Sequence, residues 1–145
     1  MGSQHSEAGM NRMLLATLAG AVTASVLGFL IFGLALGPFF AANVGSATGV
    51  SKDPPALAWV LLARLPLALM LALAISKWGY STSFAEGARV GAIFGLLVTA
   101  GFDLTNYGMT NLSNLTATLV GIVASTAVWA MEGAVIGSVL GGGGE

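Results

Sequence analysis

Charged side chains are absent from Met13 to Ser51 and again from Leu104 to Met131. Each stretch exceeds the roughly 18 apolar residues that mark a helix able to cross a bilayer. Proline, glycine and capping residues divide the chain further. The first span runs over about residues 11–37 and stops where Pro38 lacks a backbone donor and Gly45 to Gly49 disfavour helix. A second, about 55–77, opens at the Pro54-Pro55 pair, with Trp59 near one end and Trp78 and Tyr80 at the other as interface anchors. Ser83 followed by Glu86 has the spacing of a capping box and starts a third span, about 84–107. Ser113 or Asn114 caps a fourth, about 113–140, ahead of the Gly141 to Gly144 tail. The pattern predicts an all-α transmembrane antiparallel four-helix bundle, one domain over residues 1–145.

Composition agrees. With 56% hydrophobic and 8% charged residues the chain cannot furnish a soluble surface, so lipid is its first expected partner. The first span is far longer than the roughly 7–15 apolar residues of a cleavable signal and is read as retained. Arg12, Lys77 and Arg89 fall at one end of the bundle, and Lys52, offset by Asp53, at the other. The positive-inside rule then puts both termini in the cytoplasm. The formal glycosylation triplets Asn111-Leu112-Ser113 and Asn114-Leu115-Thr116 are read as capping residues at the opposite surface.

The strongest pattern is the spacing of small residues. Gly87, Gly91 and Gly95 recur every four positions on the third span, as do Gly133, Gly137 and Gly141 on the fourth. Ala117, Gly121 and Ser125 lengthen the second stripe, and Gly20, Ala24 and Gly28 form another on the first span. Lipid gives helices little hydrophobic reason to associate, whereas small residues let backbones touch. These faces serve either packing within one bundle or contact with a homo-oligomer or larger membrane complex.

Three charges, Arg64, Asp103 and Glu132, interrupt the apolar runs. Counting about 1.5 Å per residue, Arg64 lies roughly 12 Å and Asp103 about 5 Å below the outer ends of their spans, and Glu132 some 28 Å along the fourth. These depths predict two pairs, Arg64 with Asp103 and Arg89 with Glu132, which would relieve the cost of lone charges in hydrocarbon. Thr99, Asn106 and Tyr107 share a helical face with Asp103 and would line a polar binding cluster with it and Arg64. Pro66, just below Arg64, frees a carbonyl for a guanidinium or water.

The segment Gly101-Phe102-Asp103-Leu104-Thr105-Asn106, followed by a span carrying Trp129 and a glycine-rich end, resembles a group of small bacterial four-span membrane proteins of uncharacterised function with an Asp-Leu-Thr-Asn signature. The resemblance implies an inner-membrane helical bundle and no particular reaction. Phe102 stands where that pattern has tyrosine, and Ser125 and Thr126 precede Trp129 where it has an aspartate, a role Glu132 is placed to assume.

Catalysis has little footing. The single histidine, His5, lies in the polar N-terminal stretch, no cysteine is present, and no ligand spacing predicts a metal or cofactor. A net charge of −1 gives no footprint for nucleic acid. The leading expectation is a non-enzymatic membrane scaffold or accessory subunit that packs through glycine-rich faces. The alternative is a small-solute or ion transporter or channel with a polar site around Arg64 and Asp103.

Overall fold

The computed structural model describes residues 2–50, 54–79 and 82–142. The expectations for Lys52, Asp53, Tyr80 and the final glycines, Gly143 and Gly144, lie outside the described residues, as does the side chain of His5. The fold is all helical: α1 (Gly2–Gly28), a π-helical stretch (Phe29–Ala35), α2 (Gly37–Ala42), α3 (Leu57–Trp78), α4 (Phe84–Met109) and α5 (Leu115–Gly141). Four segments are long and apolar enough to cross a membrane: Gly9–Ala35, Leu57–Trp78, Phe84–Met109 and Leu115–Gly141.

Helix ends follow local chemistry. The Ser83 hydroxyl accepts from the Glu86 amide at 3.3 Å and starts α4, and the Asn114 side chain accepts from the Ala117 amide at 2.9 Å and starts α5. The first span departs from the sequence reading. It does not simply end at Gly37; the Leu36 amide donates to the carbonyl of Ile31, five residues back, at 2.7 Å, the bonding of a π turn. Pro38 then occupies the first turn of the short α2, where its missing N–H costs nothing.

Spans α4 and α5 pack most intimately. A Cβ at Gly87 would collide with the Gly133 carbonyl, one at Gly91 with the Trp129 carbonyl, and one at Gly137 with the Ser83 carbonyl. Partner numbers fall on α5 as they rise on α4, so the two run antiparallel. Glycine here lets backbone lie on backbone, and van der Waals contact replaces the hydrophobic drive that lipid abolishes. Gly95 instead seats the Trp129 side chain, whose Cβ would lie 2.5 Å from an added methyl.

Span α5 also touches α1 and α3 and forms the centre of the bundle. Leu71, Ile75, Trp129 and Ile136 are the large buried apolar residues there, with Ala16, Ala72 and Ala74 filling the gaps. Arg12 of α1 donates to the Leu140 carbonyl near the end of α5 at 3.4 Å, so the start of the first span and the end of the last lie together. Trp78 stacks on Phe94 with ring centroids 6.3 Å apart, joining α3 to α4 at that same end.

At the opposite end two loops are stitched together. Gly45 donates to the Leu112 carbonyl at 2.9 Å and Ala47 to the Asn111 carbonyl at 3.1 Å. The Asn114 amide side chain donates to that of Asn43 at 2.8 Å. These bonds close this rim of the bundle next to the polar residues of α4 and α5.

Candidate functional site

Of the clefts in the half of the bundle below that rim, two carry a charged side chain. The first, about 350 Å³, is lined by Asp103 and Asn106 of α4, Ser113, Thr118, Gly121 and Ser125 around α5, and the rings of Phe32 and Phe40. Asp103 reaches over Gly121: a methyl group there would lie 3.8 Å from its Oδ2 and equally far from Phe40 Cε1. Thr118 is spent locally, bonding the Asn114 carbonyl and the Ser113 hydroxyl at 3.0 Å each. Asp103 has neither a hydrogen bond nor an ion pair among the described residues. Its carboxylate faces the cleft.

The second cleft, about 490 Å³, is lined by Ser25, Gly28, Phe29, Phe32 and Gly33 of the first span and Leu57, Val60, Leu61 and Arg64 of α3. Arg64 rests on α1, with Nη2 3.4 Å from where a Gly28 methyl would stand. Phe29 and Phe32 reach this cleft together with Ser25, Gly28 and Gly33 because positions three and four apart share one helical face. Phe32 lines both clefts, with Arg64 on one side of it and Asp103 on the other.

The expected pairs therefore do not form. Arg64 and Asp103 are not in contact, because Phe32 stands between their clefts. Arg89 pairs instead with Glu86, one turn away on α4, at 3.4 Å. Glu132 cannot reach it for a reason of azimuth. Gly133, its neighbour, faces α4, and one residue turns a helix by about 100°. Glu132 accordingly points at α1, with its Cγ 3.5 Å from a methyl placed on Gly20.

Only 1% of Glu132 is exposed, and its Oε1 has no hydrogen-bond partner among the described residues. It makes no contact ion pair with Arg64 or Arg89 among the described residues. Of the α1 glycines that read as packing residues, Gly20 makes room for Ile136, whose Cδ1 would lie 2.6 Å from an added methyl, while Arg64 and Glu132 stand at ordinary contact distance from Gly28 and Gly20.

Of the expected polar cluster, Asp103 and Asn106 share a cleft. Thr99 is turned back on its own helix, donating to the Gly95 carbonyl at 2.6 Å. Tyr107 lies outside both clefts and is 41% exposed. The Pro66 carbonyl gap receives no bond from Arg64 among the described residues. Phe32, Phe40, Ser113, Thr118 and Ser25 escaped sequence reasoning. For Ser113 and Thr118 the signal was their position at the start of α5, facing the end of α4 where Asp103 stands.

No protein family, curated protein or solved structure matches the chain. No group of three or more metal-ligating side chains occurs among the described residues.

Proposed function

We propose that this chain is a non-enzymatic membrane protein that handles a small solute or ion through the polar groups around Arg64 and Asp103. The observation that carries this reading is that Arg64, Asp103 and Glu132, all within spans, make no contact ion pair with one another. Charges kept in hydrocarbon for packing alone find partners, since isolation costs several kcal/mol, about 2.5–3.5 on insertion scales. Here two of them border clefts instead. The scaffold reading has less support, because the glycine faces of α4 and α5 are occupied by each other.

The same reading places the clefts at the outer side of a bacterial inner membrane with both termini in the cytoplasm, by the weight of Arg12, Lys77 and Arg89 at the other end. It also takes Asp103 and Asn106 as the working residues of the Asp-Leu-Thr-Asn segment, in keeping with the four-span group that this segment resembles. Flux into proteoliposomes tests it. Wild-type protein carries at least one member of a panel of inorganic ions and small organic acids, and Arg64→Gln or Asp103→Asn lowers that flux at least tenfold. No flux across the panel, or flux untouched by both substitutions, refutes the proposal.

A further inference from the structure

The Arg64 cleft has a composition that narrows its ligand. Its walls are apolar: Phe29, Phe32, Leu57, Val60 and Leu61. Its polar groups are Arg64 and Ser25, and the Ser25 hydroxyl already donates to the Ala21 carbonyl at 2.7 Å. One guanidinium is therefore the free donor. The planar fork of N–H groups binds a carboxylate bidentately, and its one positive charge balances a monoanion, whereas phosphate or sulfate as a dianion calls for further charge.

Position adds a direction. Leu57 opens α3 and Arg64 lies seven residues further in, about 10 Å along the axis. Arg64 is the floor of the cleft, and the apolar walls lie between it and the rim. Glu132 sits deeper still: its contact on α1, Gly20, is eight residues inward of Gly28, about 12 Å. It does not cover the guanidinium. Asp103, beyond the Phe32 ring, disfavours anions on its own side.

We infer that the Arg64 cleft binds an amphipathic monocarboxylate, carboxylate on the guanidinium and apolar body between Phe29, Phe32, Leu57 and Leu61. The volume, about 490 Å³, falls within the range of small-molecule sites. The inference rests on the solute-handling reading and names the class of solute for one of its two clefts.

Calorimetric titration of octanoate into protein in phosphatidylcholine nanodiscs, with empty discs subtracted, tests it. Octanoate binds. Octanol, lacking the charge, and acetate, lacking the body, each bind at least tenfold more weakly. Arg64→Gln weakens octanoate at least tenfold and Arg64→Lys a few-fold. If Arg64→Gln does not fold, Leu61→Trp carries the test, since it narrows the cleft without touching the charge and must weaken octanoate. Equal binding of octanol, equal binding of acetate, or indifference to these substitutions overturns the inference. Asp103-dependent flux of another solute without octanoate binding would sink the inference alone. Octanoate binding without any flux would sink the transport reading alone.

Discussion

Gly87 and Gly133 meet backbone to backbone: a Cβ on either would strike the carbonyl oxygen of the other. The contact is reciprocal, so neither side can yield by turning a side chain, and the distance between α4 and α5 is set by the two main chains.

Gly87→Val and Gly133→Val each force the helices apart. Overpacking of this kind costs about 1–3 kcal/mol or more, and here the obstacle is backbone. Both variants should lose helix association in detergent, measured by thermal unfolding. Gly101→Ala and Gly108→Ala, where an added methyl meets nothing within 4 Å, should be neutral or slightly stabilising, by up to about 1 kcal/mol of helix propensity.

Glu132 is buried against Gly20 of the first span. Glu132→Gln preserves shape and removes only charge, and should fold. Glu132→Lys places a second cation in the same apolar interior, where a lone charge costs about 2.5–3.5 kcal/mol on insertion scales. The lysine variant should fail to accumulate in membranes while the glutamine variant reaches wild-type levels, as measured by quantitative immunoblot.

The loop stitch depends on Asn114, which caps α5 and bonds Asn43. Asn114→Ala removes the cap, worth about 0.5–2 kcal/mol, together with the contact to Asn43. Amide exchange at Gly45 and Ala47, which donate to the facing loop, should accelerate in this variant and stay unchanged in Ser76→Ala at the other end.

Asp103 faces a cleft without a partner of its own. Asp103→Asn should therefore leave the melting temperature of the purified protein within a few degrees of wild type while lowering flux, a split that calorimetry and proteoliposome assays read separately. A large loss of stability would assign the residue to the core.

Much of this fold was legible in the sequence. Long uncharged runs give the spans, Ser83 and the Ser113-Asn114 pair give two helix starts, and the four-residue glycine period gives close helix packing without saying which faces meet. Charge pairing was not, because depth along a helix says nothing of azimuth. The correction was available in the neighbouring residue: once Gly133 faces α4, Glu132 cannot. The π turn at Phe29–Ala35 has no comparable local signature. Nor did Phe32 stand out, since an apolar ring within an apolar run gives no sign that it forms the wall between the Arg64 and Asp103 clefts.

The decisive measurement is labelling of single cysteines, clean in a chain with none of its own, by a membrane-impermeant maleimide applied to intact cells. Ser113→Cys and Ser125→Cys, in the Asp103 cleft, should react from outside. Lys77→Cys should react only after permeabilisation, and Val123→Cys, 71% exposed but turned to lipid, should not react at all. Labelling of Lys77→Cys and Ser113→Cys from the same face, or ready labelling of Val123→Cys, would contradict a four-span bundle with a water-reached cleft in its outer half.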